Sequence, residues 1–501
     1  MKTSKVFTNP TILKILDYYK NLWALSYAIG IAHWDLETYM PPKGVGARGE
    51  ALGRLSTIRQ KLFLNKDFVS LIHKSQKINN LTDEEKAVVR MLTRSLKFYE
   101  KLPSKFIEEF ENLTNKSTVV WREAKAKNDF KLFKPYLTKI FNSNCKMADY
   151  LGYVNSPYDA LLDQYEEGLT TKYVENFFLE IKNPLKNLLS KIMNAKPARI
   201  ATQSVAGGYD KQKMSELNDK ILKYFWGEYG QNFRLDTSTH PFTTSFSKSD
   251  TRITTWYHDR DFARSLLATI HEFGHALYDL QSADELEMTS IAGGSSLIIH
   301  ESQSRFWENF MGRSESFIDK FLSDMQLAVH SSQLTVDSVY TYFNKVSPGL
   351  LRVEADEVTY HFHIMLRFEI EKEVIEGRLE VRDLREIWNA KMKDYLGITP
   401  ENDSEGVLQD IHWSGGSVGY FPTYSLGTFL GAQWADQMKV GPLQTRPLEG
   451  PTFVKLWLRN HIHKFGSTYT LVDLLKKNGM KFDPKVNLKY LQEKYSKIYN
   501  F

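Results

Sequence analysis

The sequence predicts a mostly α-helical fold: one large body split by a groove, with a small antiparallel β-sheet beside one chemically loaded helix. Three observations predict it. Apolar residues recur at helical spacing through the first two hundred positions, broken by short punctuation such as Pro41-Pro42-Lys43-Gly44 and Leu102-Pro103-Ser104. One stretch, 231–258, alternates instead and carries β-branched and aromatic residues. Composition is that of a soluble globular chain, 42% hydrophobic and 25% charged, and 501 residues suffice to bury a large core.

Taken in order, Met1–Pro10 lacks the apolar centre of a signal peptide, and no run of uncharged apolar residues is long enough to span a membrane. Thr82-Asp83-Glu84-Glu85 is a capping box that opens a helix running to about Leu102. Asn232–Asp236 and Arg252–Tyr257 read as strands of the sheet, whose edge would offer an extended peptide a wall to pair with. Gly293-Gly294-Ser295-Ser296 marks a turn and a helix start. A long charged helix follows from about Glu354 to Glu376. Ser414–Pro422 is the most irregular stretch. Its glycines are followed by no Gly-Lys-Ser/Thr, so it is not a phosphate loop; it positions side chains or acts as a hinge. No internal repeat or low-complexity linker divides the chain, so 1–501 reads as a single domain.

Charge and cysteine exclude several classes. Net charge is +5, from 65 basic and 60 acidic residues, too small an excess to argue for nucleic acid or an anionic membrane. Cys145 is the sole cysteine, which rules out an intrachain disulfide and a Cys-rich metal site and suits a reducing, cytoplasmic setting.

The chemistry concentrates in Thr269-Ile270-His271-Glu272-Phe273-Gly274-His275. Histidines four apart on a helix stack on one face, offset by about 40°. That face offers two imidazoles to one metal ion, and Glu272 can then reach a water on that metal. Leu266, Ile270, Phe273, Leu277 and Leu280 form an apolar ridge roughly 160° away, so one edge packs while the other faces a cleft. With 13 His in 501 residues, chance would supply roughly 0.02 such motifs. A catalytic site of this kind has a third protein ligand and an open position for water. Glu301, in Ile299-His300-Glu301-Ser302-Gln303, is a candidate and His300 its rival; spacing alone does not choose between them. Asp279, one turn after His275, is placed to orient a ligand imidazole. His361 and His363, two apart on a helix, point different ways and read as core.

These motifs, with others spread nearly end to end, resemble the carboxypeptidase Taq family of metallocarboxypeptidases, relatives of the angiotensin-converting-enzyme and oligopeptidase group. The resemblance is carried by Trp34-Asp35-Leu36-Glu37-Thr38-Tyr39-Met40-Pro41, His240-Pro241-Phe242, Asp250-Thr251-Arg252-Ile253-Thr254, the His271–His275 run and His300-Glu301-Ser302-Gln303. It continues in Leu351-Arg352-Val353-Glu354-Ala355-Asp356, where Leu351 departs from the family's isoleucine, and in Gly406–Trp413. It implies a large helical zincin body with a deep substrate groove. Residues 1–200 would form a helical lid and groove wall, and 201–501 the catalytic portion. The implied metal ligands are His271, His275 and Glu301, with Glu272 as general base and acid. Arg352 would grip a peptide's C-terminal carboxylate, while His412, Tyr420 and Tyr424 would line the site and stabilise the oxyanion or orient substrate. Trp34-Asp35 and the His240 motif are mainly scaffold, although His240 also stands as a substrate contact. The implied cofactor is one divalent cation per chain, zinc first and cobalt second, because such a site discriminates poorly among late divalent ions. The implied assembly is a homodimer acting on peptides.

The expected reaction is removal of single residues from peptide C-termini by a metal-activated water. Its rivals are an endo-acting oligopeptidase or dipeptidyl-releasing peptidase on the same metal helix, and a catalytically silent peptide- or metal-binding protein. The intact Glu272 speaks against the last.

Overall fold

The computed structural model describes residues 6–195, 208–257, 261–294, 296–439 and 450–501. Met1–Lys5 of the N-terminal reading, residues 196–200 of the helical first two hundred, His258 and Ser295 lie outside them. The helices begin with α1 (Pro10–Glu37), α2 (Val45–Phe63), α3 (Lys66–Ser75), α4 (Asp83–Lys101) and α5 (Ser104–Lys127). They continue with α6 (Phe130–Leu151), α7 (Pro157–Tyr165), α8 (Thr171–Asn194) and α9 (Lys211–Trp226). Strands β1 (Phe233–Thr237), β2 (Thr243–Ser247) and β3 (Asp250–Thr255) come next. After them run α10 (Phe262–Leu280), α11 (Leu297–Arg305), a π-helical turn (Phe306–Gly312), α12 (Glu315–Ala328) and α13 (Val336–Phe343). The last helices are α14 (Tyr360–Ile375), α15 (Leu384–Leu396), α16 (Pro422–Met438), α17 (Gly450–His461), α18 (Leu471–Lys477) and α19 (Pro484–Tyr499). The fold is mostly α with one small sheet. Among the described residues no helix is long and apolar enough to cross a membrane.

Two compact units divide the chain. Unit 1 comprises Met1–Lys97, Ala201–Phe343 and Trp434–Phe482; unit 2 comprises Phe98–Ile200, Asn344–Gln433 and Asp483–Phe501. The expected division at residue 200 is one of several points where the chain passes from one unit to the other.

In unit 1, the Thr82 capping box forms as read: Glu85 N donates to Thr82 Oγ1 and Thr82 N to Glu85 Oε2, both at 3.1 Å. The sheet corrects the sequence expectation. Its order is β1-β3-β2; β2 and β3 are antiparallel, but β1 and β3 are parallel, pairing Phe233 with Thr251 through Thr237 with Thr255. The chain leaves β1, crosses to the far edge as β2, and returns into the centre as β3. Alternation fixes which side chains share a face, but says nothing of a strand's neighbour or direction. The apolar ridge of α10 is buried as its spacing demands: Leu266, Ile270, Phe273 and Leu277 are fully enclosed. Each such side chain contributes about 1.5–3 kcal/mol. Phe273 packs against Phe225, Phe233 and Trp307. On another side of α10, a Cβ at Gly274 would lie 2.6 Å from Ser304 Cα and 2.7 Å from Gln303 O, so a glycine is what lets α11 approach this closely.

Unit 2 is built around α14, and here too the structure differs from the sequence reading. The helix starts at Tyr360 rather than near Glu354, after a short 3₁₀ turn at Arg352–Glu354 and the intervening 355–359. Of its charged residues, Arg367 and Glu371 are fully buried, as are His361 and His363, while Glu369, Lys372, Glu373 and Glu376 are half-buried. Charged positions at helical spacing normally read as surface. Arg367 and Glu371 are inside because each meets a partner inside, Asp410 and Trp413.

Candidate active site

In unit 1, Asp261 caps α10, accepting from Ala263 N. The helix then carries His271 and His275 on one face, ring centroids 5.0 Å apart. Ser296 caps α11 by accepting from Ile299 N at 3.0 Å, and the helix brings in Glu301. Glu301 Oε2 lies 3.8 Å from His271 Nε2 and 3.7 Å from His275 Nε2, and one donor atom from each residue falls within 4.8 Å of the others. Donors about 2.1 Å from a common tetrahedral centre stand about 3.4 Å apart, so two imidazoles and a carboxylate at these separations fit a divalent cation such as zinc. The rival His300 is not among these converging donors: its ring meets Tyr278 and His275, and its Nε2 lies 3.8 Å from Asp279 Oδ1.

The surroundings fix each group. Glu301 Oε1 accepts from Arg305 Nε at 2.8 Å, which leaves Oε2 toward the imidazoles. His271 Nδ1 is 3.0 Å from Glu308 Oε2; with Nδ1 donating there, Nε2 carries the lone pair that a metal needs. Glu308 is in turn gripped by Arg305 Nη1 (3.1 Å) and Arg313 Nη2 (2.7 Å). Burial opposes charge on Glu308, but Arg305, His271 and Arg313 hold its carboxyl well below the ordinary range. Burial likewise disfavours the charged His271, yet Glu308 and Glu301 raise its pKa overall; the same carboxylates favour a cation beside it. Burial keeps His275 neutral, far below the usual imidazole value. Burial also pushes the Glu272 carboxyl up, the direction a proton carrier near neutrality requires. Glu272 Oε2 accepts from Thr243 Oγ1 of β2 at 2.6 Å.

Glu308, against His271, holds the kind of place beside an imidazole for which the sequence reading offered Asp279. Asp279 Oδ1 accepts from Gly294 N instead, at 2.9 Å. The signal for Glu308 was present: Glu301, Arg305 and Glu308 recur at i, i+4 and i+7, a polar stripe on one helix face. Thr243 had no comparable signal, since its contact crosses from a strand to a helix. His240 is exposed at the approach to β2, and its carbonyl is what the sheet uses, accepting from Ser238 Oγ.

In unit 2, Arg352 is buried in the 3₁₀ turn. Its Nε and Nη2 donate to Asp410 Oδ1 at 3.0 and 2.8 Å, and its Nη1 to Tyr360 OH at 3.2 Å. Arg367 of α14 takes the other oxygen, Nε donating to Asp410 Oδ2 at 2.7 Å. Burial opposes charge on Asp410, but the two guanidiniums hold its carboxyl well below the ordinary range. One carboxylate against two guanidiniums leaves one positive charge over. The Arg352 guanidinium also lies over the Tyr424 ring, 4.9 Å from its centre. His412 Nε2 is 3.0 Å from Tyr424 OH, and Tyr420 stands against both rings. Burial lowers His412 to about 4. The glycine-rich stretch is shaped from within. Glu371 accepts from Trp413 Nε1 (2.6 Å), Gly419 N (2.8 Å) and Tyr158 OH (2.6 Å). Gly419 takes φ +99°, where a Cβ would meet the Leu161 backbone at 3.0 Å. His361 bonds to Ser425 Oγ, and both His361 and His363 are core residues, as their spacing suggested.

The profile of the carboxypeptidase Taq (M32) metallopeptidase family matches residues 14–495. The chain belongs to that family. Over 496 residues it is 44% identical to thermostable carboxypeptidase 1 of Pyrococcus furiosus, covering 98% of this chain and 99% of that protein. It is 36% identical to carboxypeptidase 1 of Bacillus subtilis, covering 97% and 98%. Among solved structures, Pyrococcus furiosus carboxypeptidase superposes with a TM-score of 0.93 at 43% identity, covering 98% of this chain and 100% of the other. Trypanosoma cruzi metallocarboxypeptidase 1 gives 0.88 at 31%, covering 97% and 99%. This carboxypeptidase Taq family member is a metallocarboxypeptidase that hydrolyses the C-terminal bond of peptides. As a metallopeptidase it requires a divalent metal.

Proposed function

We propose that His271, His275 and Glu301 hold one divalent cation per chain, zinc first and cobalt second, with Glu272 as general base and acid. The observation that carries this reading is the convergence of three donor atoms within 4.8 Å beside a buried carboxylate. A bound divalent cation supplies Lewis-acid polarisation and lowers the pKa of a coordinated water to about 7. Glu272 takes one proton from the attacking water and passes it to the departing amine nitrogen as the C–N bond breaks. Arg352 receives the peptide's terminal carboxylate. A planar fork suits that group, and the surplus positive charge of the Arg352–Asp410–Arg367 cluster supports the assignment. His412, Tyr420 and Tyr424 face the developing oxyanion, and His240 contacts substrate from the exposed approach to β2. Family resemblance supports a homodimer. The small net charge argues against a nucleic-acid partner, and the lone cysteine supports a cytoplasmic location.

The test is a time course of peptide products by mass spectrometry, after zinc or cobalt is returned to stripped protein, on matched free and C-terminally amidated peptides. The expected result is a ladder shortening by single residues from the free C-terminus and little cleavage of the amide. Equal cleavage of both, or internal fragments as first products, would move the protein to an endo-acting or dipeptidyl-releasing mode.

A further inference from the structure

We propose that Thr243 is a positioning residue for Glu272, holding one carboxylate oxygen in place so that the other meets the attacking water. The proposal rests on the reading of Glu272 as the base.

The argument begins in the sheet. Phe242 N donates to Thr254 Oγ1 at 3.0 Å, and Thr254 N donates to Phe242 O at 2.9 Å. One residue on, Thr243 pairs with the fully buried Ile253. The His240-Pro241-Phe242 and Asp250–Thr254 motifs thus lock to each other just where Thr243 leaves the turn. Because Thr is β-branched, its χ1 is stiff, so a fixed backbone fixes the direction of the hydroxyl. That hydroxyl finds two acceptors on the same residue, Glu272 Oε2 at 2.6 Å and Glu272 main-chain O at 3.0 Å. It has one proton to give, and an ionised carboxylate is the stronger acceptor. Glutamate has three side-chain torsions, and a base displaced by about 1 Å can lose about a hundredfold in rate. A donor anchored on a strand removes that freedom. The bond falls on Oε2, which leaves Oε1 to receive the water's proton.

Two substitutions separate this role from packing. Thr243→Val keeps the shape and strand preference and removes the donor; Thr243→Ser keeps the donor and removes a methyl. On a blocked dipeptide with a free C-terminus, Thr243→Val should lower kcat about ten- to a hundredfold while KM stays within about twofold. Metal content, read by mass spectrometry, should stay at the wild-type level, and Thr243→Ser should recover most of the rate. An unchanged kcat in Thr243→Val, equal damage in both variants, or a parallel loss of metal would overturn the proposal. Glu272→Gln measured alongside tells the two failures apart. If it turns over normally, the base reading is wrong; if it is inactive while Thr243→Val is fully active, Thr243 alone loses its role. In the Glu272→Gln background, Thr243→Val should add little, and a full additional loss would assign the effect to packing.

Discussion

Asp410 shows how much one buried side chain can decide. It answers two guanidiniums, so removing different members of the trio has different consequences. Arg352→Ala leaves Asp410 paired with Arg367. We expect a folded protein whose kcat/KM on free-acid peptides drops about ten- to a hundredfold, the worth of a charge-assisted pair, with metal content intact. Asp410→Asn strands two buried cations and should cost about 3–5 kcal/mol of stability, read by denaturant unfolding. If Arg352→Ala has wild-type kcat/KM, Arg352 is not the carboxylate grip. His412 gives a pH prediction. Burial lowers its folded pKa from 6.5 to about 4, so as pH falls through that window the unfolded chain takes up a proton that the folded one refuses. Stability is therefore lost from pH 6.5 down to about 4. Glu371 works in the opposite sense, because burial raises it to about 7, and its contribution is lost as pH rises from 4.5 toward 7. Comparison with His412→Asn isolates the histidine: the melting temperature of wild type relative to the variant should fall between pH 6.5 and 4, and a constant difference would contradict the assignment.

At the scale of elements, the decisive contact is α10 against α11, because one carries two imidazoles and the other the carboxylate. Gly274→Ala forces a methyl into the α11 backbone. Overpacking of this kind costs about 1–3 kcal/mol, and here the neighbour that must move carries Glu301. We expect a lower melting temperature and a cation released at lower chelator concentration than from wild type; unchanged chelator resistance would mean that the helices do not need this separation. Much at this scale was legible from sequence. The α10 ridge, the Thr82 capping box and the Ser296 helix start are all short-range patterns with a fixed period or offset, and each formed as read. Strands β1 and β3 were legible from sequence, but β2 was not read, and neither was the topology, because the parallel pairing of β1 with β3 depends on a crossover that no local pattern encodes. The helix was read as starting near Glu354 rather than at Tyr360, and the burial of Arg367 and Glu371 could not be read locally because their partners, Asp410 and Trp413, lie more than forty positions away in sequence.

For the whole molecule, length and composition bounded the class, and the family motifs carried the reaction. The assignment of segments to two compact units was out of reach, since each unit gathers three stretches from distant parts of the sequence. The chemistry divides the same way: His271, Glu272, His275 and Glu301 belong to unit 1, Arg352, His412, Tyr420 and Tyr424 to unit 2. On the proposed assignment, hydrolysis turns on the cation, because only the first group would hold it and the second would recognise the peptide. The most direct measurement is an anomalous-diffraction map at the zinc or cobalt edge, from crystals of the loaded protein. The account predicts one strong peak per chain, about 2 Å from His271 Nε2, His275 Nε2 and a Glu301 oxygen. A peak elsewhere, or those three side chains parted around no peak at all, would contradict it.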